Sequence, residues 1–291
     1  MIWVSNDLYI LIANHNKAKN PMEIYYKEFR QKLIQFFLKN RITEDSKILD
    51  IGCQFGDLSL PLASSVSYLV GLDLSIRSIK GAKDNIGSMS ISNAYFIVAD
   101  AESLPFESNS FDVILFIELI EHLPDAKPSL SEIHRVLKPN GFLLIGTPQS
   151  VGFFNVGFHL LVSFLTLFFK ISLIFKTRKS SFFSRLQDYG IEFSQPDTKS
   201  NNAHSTNKTK TKGGHVQKYN RQRLIRIAKN FNFSLVKEGG VPLFLTRMIK
   251  YYFAFPWLAN IYRRLFTPKQ SFLLSRFGNQ SYLLFRSQKR G

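Results

Sequence analysis

The sequence predicts an α/β fold: a doubly wound, mostly parallel sheet of seven strands, carrying two apolar and basic insertions. Three observations predict it. Short apolar runs recur through the first half, each followed by turn residues and a helical pattern: KILDIG, SYLVGLD, AYFIVAD, FDVILFI and GFLLIGT. Strands alternating with helices give parallel strands joined by right-handed crossovers. Strand character then returns late, in FSLVKEGG and SYLLFRS, so the sheet is completed across two interruptions.

The elements follow in order. MEIYYKEFRQKLIQFFLKN spaces Ile24, Phe29, Leu33 and Phe36 or Phe37 along one helical face that ends before Thr43 and Asp45. Strands are expected near 47–51, 67–72, 94–98, 111–117, 141–146, 233–238 and 281–286, the last two pairing antiparallel with their neighbours. EIHRVLKPNG reads as a helix, a turn at Pro139 to Gly141 and the start of the next strand. The chain is thus a single domain over 1–291, its core at about 22–150, 214–240 and 279–291. Insertions at about 151–213 and 241–278 form a lid or a membrane-facing surface.

Composition bounds the rest. With 291 residues, 45% of them hydrophobic, the chain is long enough to bury a large core. Its single cysteine, Cys53, excludes an internal disulfide or a multi-cysteine zinc knuckle and fits a reducing compartment. The first 16 residues carry no basic leader, and Asn6 and Asp7 interrupt their apolar run, so a cytoplasmic location is expected. Net charge is +17, unevenly divided: residues 1–150 carry 14 Lys/Arg against 17 Asp/Glu, and residues 151–291 carry 24 against 4. The basic surface belongs to the second half.

In open α/β sheets ligands sit beyond the carboxyl ends of the strands, where strand order reverses. Asp50, Gly52 and Gly56 fall at that point, in KILDIGCQFGDLSL, and a following helix N-terminus is expected to offer N–H groups. The second strand ends in Asp73, placed to accept both hydroxyls of a ribose, and the third ends in Asp100.

ILDIGCQFGDLSLPLA, VGLDLS, VADAESLPF, FDVILFIELIEHLPD and EIHRVLKPNGFLLIGTP together resemble the class I S-adenosylmethionine-dependent methyltransferases with a Rossmann-like fold, in the branch called methyltransferase type 11. The ordered resemblance covers about 45–150 and returns at GGHVQKYNRQRLIRIAKNFNFSLVKEGG. It implies S-adenosyl-L-methionine as cofactor. Asp50 and Gly52 would lie near its amino-acid end, with Cys53, Gln54 and Gly56 on the same turn, Asp73 and Leu74 at the ribose, Asp100 and Ala101 at the adenine, and Ile117 with Glu118 beside the sulfonium. Gln54 replaces a usual central glycine, which is acceptable where φ is negative.

ELIEHL spaces Glu118, Glu121 and His122 at i, i+3 and i+4, which brings the three together if the segment is helical. The spacing is similar to the Glu-x-x-Glu-His element that binds a divalent ion in quinone-biosynthesis and small-RNA O-methyltransferases, where a later histidine, here His215, can complete the site. A Mg²⁺ or similar ion would orient a hydroxyl and lower its pKa. The resemblance to metal-free relatives implies instead that Glu118 lies near the cofactor, Glu121 caps or pairs with a basic neighbour and His122 packs; without a metal here, His122 or His215 is the expected base.

Two acceptor classes are expected from the second half. The apolar segments 152–175 and 244–266, flanked by Lys176, Arg178, Arg263 and Arg264, suit an anionic membrane surface and a lipid-linked, quinone-like or glycan acceptor, with the enzyme peripheral at the inner face. The alternative for those segments is a lid on the sheet or on a dimer partner. Lys208, Lys210, Lys212, Lys218, Arg221, Arg223 and Arg226 suit the phosphates of an RNA substrate. A non-catalytic cofactor-binding scaffold is the third reading. The sequence does not specify the oligomeric state.

Overall fold

A computed structural model describes residues 21–89, 91–148, 216–242 and 278–289. The expectations for His215, the apolar segments 152–175 and 244–266 and the flanking basic residues lie outside the described residues.

Helix α1 (Pro21–Leu38) is fixed by the apolar spacing in its sequence, which buries Phe29, Leu33, Ile34, Phe37 and Leu38. It ends where Asn40 takes up a φ of 62°, a left-handed conformation that asparagine tolerates at helix ends. Strands β1 (Lys47–Ile51), β2 (Tyr68–Asp73), β3 (Ala94–Val98), β4 (Phe111–Ile117) and β5 (Leu137–Pro148) follow, with α2 (Ile76–Met89) and α3 (Lys127–Val136) between them. Helix α4 (Arg221–Asn230), β6 (Phe233–Pro242) and β7 (Gly278–Ser287) complete the sheet.

Strand order is β3-β2-β1-β4-β5-β7-β6. The first five pair in parallel, and β7 runs antiparallel to both β5 and β6. Both late strands therefore pair antiparallel with their neighbours, as expected, although β7 alone runs against the others. Alternation along β4 sends Val113, Leu115 and Ile117 into one core, under α1 and α2, and Ile114 and Phe116 into the other, under α3 and α4. With both faces covered, the sheet leaves its strand ends as the place for a ligand, and strand order reverses between β1 and β4.

Two local features differ from expectation. The turn expected at Pro139 to Gly141 lies inside β5 as an irregularity: Phe111 pairs with Leu137 and Val113 with Phe142, with Asn140 at a φ of 61°. And the segment after the β1 turn is a six-residue 3-10 helix, Leu60–Ser65, rather than an α-helix, so no long helix presents its N-terminus there. Far from that turn, Lys289 Nζ donates to Asn109 Oδ1 and to the carbonyls of Arg135 and Leu137, pinning the chain that leaves β7 to the α3–β5 junction.

Candidate functional site

The turn after β1 is shaped by its backbone. Gly52 and Gly56 have φ of 76° and 77°, and a Cβ on either would stand 2.9 Å from Leu119 Cδ2 or 2.7 Å from Phe96 Cζ. Only glycine fits both the conformation and the space. The amides of Gly52 and Cys53 both donate to the Leu72 carbonyl, at 2.8 and 3.0 Å, which ties the turn to β2.

Gln54 departs from the expectation that a non-glycine residue stands there at negative φ. Its φ is 49°, a left-handed conformation that costs a glutamine energy. What holds it is Asp73: Oδ2 accepts from the Gln54 amide at 3.1 Å, and Oδ1 accepts from the Ser75 amide at 2.8 Å. A carboxylate has about four acceptor positions, so two bonds leave Asp73 capacity for a ligand's hydroxyls. Beside it Leu74 and Ile76 stand exposed, large apolar side chains at the mouth of the turn. Asp100 folds its own loop, Oδ1 accepting from the Glu102 amide at 2.9 Å, with Ala101 buried behind it.

A cleft opens over this turn, walled by Arg30, Asp50, Gly52, Gln54, Ile117 and Glu118 among others. The structure thus gathers residues of the β1 turn and the β4 end in one cavity. Asp50 is buried at the base of the turn, and burial lifts its carboxyl to about 6, with Asp73 adding to the rise and Ser59 and Arg30 opposing it. Burial also pushes the Cys53 thiol far above its ordinary range, so it packs rather than reacts.

The opposite wall corrects the expected convergence of Glu118, Glu121 and His122. That convergence needs all three on one helix, but only Ile120–His122 form a short 3-10 turn, and Glu118 precedes it at a φ of 54°. Glu118 points to other partners: Arg30 Nη2 lies 3.0 Å from Oε2, and Gln280 Nε2 donates to Oε1. Arg30 Nε in turn donates to the Tyr282 hydroxyl at 2.8 Å. Glu121 is buried, its Oε2 accepting from Thr147 Oγ1 at 2.9 Å while Oε1 has no hydrogen-bond partner. No three metal-ligating side chains cluster among the described residues. Among the described residues Glu118 and Glu121 turn to separate partners rather than to a shared ion.

Sequence reasoning missed Arg30, Thr147, Gln280 and Tyr282. Their partners are remote, 252 residues apart for Arg30 and Tyr282. The one available signal was a basic residue between Phe29 and Leu33 on a buried helix face. Of the basic residues proposed to follow phosphates, Arg221 pairs with Glu238, and Arg223 stacks on Tyr219 at 4.7 Å and bonds to Gln217 and the Lys218 carbonyl.

Residues 49–145 match the family model described as a methyltransferase domain. Over 132 residues the chain is 32% identical to a ubiquinone biosynthesis O-methyltransferase of Bartonella tribocorum, covering 44% of this chain and 52% of that one. It is 28% identical to a demethylmenaquinone methyltransferase of Staphylococcus carnosus (53% and 64%), and 38% identical to the chloroplastic tocopherol O-methyltransferase of Arabidopsis thaliana (35% and 30%). The chain spans about half the length of the curated relatives it matches. In fold it is similar to a SAM-dependent methyltransferase of Methanosarcina mazei, with a TM-score of 0.50 at 21% identity over 87% of this chain and 98% of that one. It is also similar to the cyclase SpnF, with a TM-score of 0.52 at 15% identity over 88% and 80%. Residues 49–145 thus carry a methyltransferase domain, on a sheet with the class I methyltransferase fold.

Proposed function

We propose that the protein transfers the methyl group of S-adenosylmethionine to a small, lipid-soluble acceptor, at oxygen, at the inner face of a membrane. The observation that carries the cofactor is the cleft at the β1–β4 switch point, where two glycines at positive φ and an Asp73 with spare acceptor capacity meet. Asp73 binds the ribose hydroxyls, Leu74 with Ile76 covers the base from the solvent side, and the Asp100–Ala101 turn borders it. Asp50 faces the ammonium of the amino-acid end. Bound there, the cofactor supplies an activated methyl group.

Transfer from a sulfonium is an in-line displacement, so the residues of the β4 end act mainly by alignment. Ile117 and Glu118 set the wall against which the acceptor approaches. A hydroxyl acceptor must also lose its proton, and His122 and His215 are the candidate bases. The reading includes no divalent ion, because Glu118 and Glu121 are committed to Arg30, Gln280 and Thr147. Turnover unchanged by excess chelator is expected, and loss of turnover with cofactor binding intact would restore the metal.

The acceptor class is supported by the matched relatives, whose names concern ubiquinone, demethylmenaquinone and tocopherol, and by the apolar and basic character of the second half. No helix among the described residues is long and apolar enough to cross a membrane. Incubation with radiolabelled cofactor and separated lipid, RNA and soluble extracts tests the reading. Label in the lipid fraction is expected. Label in RNA, falling steeply with salt, would replace the acceptor class, and tight cofactor binding with no label anywhere would leave a scaffold.

A further inference from the structure

We propose that Arg30 is a positioning residue that sets the pocket's preference between a cationic ligand and its neutral counterpart, acting through Glu118 with Gln280 and Tyr282 as supports. The inference rests on the reading that this pocket holds S-adenosylmethionine. It goes further by identifying what balances the cofactor, which carries a sulfonium charge, against its demethylated thioether product, which does not.

Glu118 and Asp50 place two carboxyl groups on the walls of one cleft, and Arg30 lines the same cleft. A ligand filling that space comes near all three. Glu118 is held in an unfavourable backbone conformation, φ 54°, by its amide donating to the Gly146 carbonyl at 2.7 Å and by contacts at both carboxylate oxygens. Its charge is therefore fixed in place rather than free to follow the ligand.

Arg30 is equally constrained. It is 7% exposed, and its Nε bond to the fully buried Tyr282 hydroxyl keeps the guanidinium from swinging towards solvent. Gln280 joins the set twice, donating to Glu118 and standing 3.5 Å from the Tyr282 hydroxyl. At partly buried positions such charges are screened far less than on an open surface. An anionic Glu118 alone would favour the sulfonium strongly over the thioether. Arg30 offsets that field, so the charged cofactor and neutral product bind with more similar strength and the empty pocket is not left with two uncompensated carboxyl groups.

Calorimetry with S-adenosylmethionine and S-adenosylhomocysteine tests this on the full chain, as the ratio of their two Kd values. Arg30→Met is expected to shift the ratio in favour of the cation by on the order of tenfold. Arg30→Lys should restore most of the wild-type ratio, and Glu118→Gln should move it the opposite way. The last variant is nearly isosteric at a partly exposed side chain, so it keeps the test available if Arg30→Met does not fold. A merely structural role would weaken both ligands by the same factor, and an unchanged ratio in folded Glu118→Gln would overturn the proposal alone. Binding of neither ligand by the wild type would overturn the cofactor reading and this inference with it.

Discussion

The wall of the pocket that grows from β1 is held by hydrogen bonds among residues 52 to 75, whereas the wall that grows from β4 is held by side chains that arrive from both ends of the sequence. On the first, Gly52, Cys53 and Gln54 donate to Leu72 and Asp73, with Ser75 completing the turn. On the second, Glu118 meets Arg30 from α1 and Gln280 from β7, 162 residues away, and Glu121 meets Thr147. The difference teaches what each wall is for. A local turn makes a fixed cradle for a ligand part that never changes. A wall assembled from remote elements carries the charges and is coupled to the packing of the whole sheet.

The largest expected effect falls on the local wall. Asp73→Ala removes two backbone anchors and the ribose acceptor together, so cofactor affinity should fall by about 100-fold or more, each charge-assisted bond contributing about 1.5–3 kcal/mol. Calorimetry should show cofactor and product losing equally, because the lost contact is to the part they share. Unequal loss would break the division between a cradle and a charged wall.

Asp50, at the base of the cradle, gives a smaller effect of opposite sign on stability. Burial raises its folded pKa to about 6 from an ordinary 3.8, so the stability it contributes is fully present below about pH 4 and lost as pH rises through 6. The loss amounts to about 3 kcal/mol at neutral pH. Asp50→Asn should therefore raise the Tm at pH 7.5, leave it nearly unchanged at pH 4, and weaken the cationic cofactor. An equal Tm change at both pH values would remove the buried charge as its cause.

The smallest effect belongs to the β5 end. Thr147→Val strips the hydrogen bond from a buried Glu121 that already has one unpartnered oxygen, and about 1–3 kcal/mol of stability should be lost in denaturant titration. Full stability in that variant would show that the two side chains do not depend on each other.

How much of this was legible follows from range. The strand runs, the doubly wound order and Asp50, Gly52, Gly56 and Asp73 all announce themselves within short windows, since periodicity and glycine-bearing turns are local properties. Gln54 shows the limit even there: its identity flagged a departure, but its positive φ depends on Asp73, 19 residues on. The spacing of Glu118, Glu121 and His122 misled because it assumed a helix that the chain does not form before Ile120. Gln280 and Tyr282 carried no local mark, and Arg30 only its place as a basic residue on a buried helix face. Their meeting is fixed by sheet order, which brings α1 and β7 to the same face.

That order has a consequence for how the protein comes into being. β7 lies between β5 and β6, yet all six other strands precede it in the sequence. As the chain leaves the ribosome, β5 waits as an apolar edge and β6 has no neighbour until Gly278–Ser287 emerges and slides between them. Gln280 and Tyr282 travel on that strand, so Glu118 gains its full set of partners only at the final insertion. A nascent chain stalled before Gly278 would display most of the cradle, leave the Arg30–Glu118 pair without Gln280 and Tyr282, and offer its open β5 edge to chaperones.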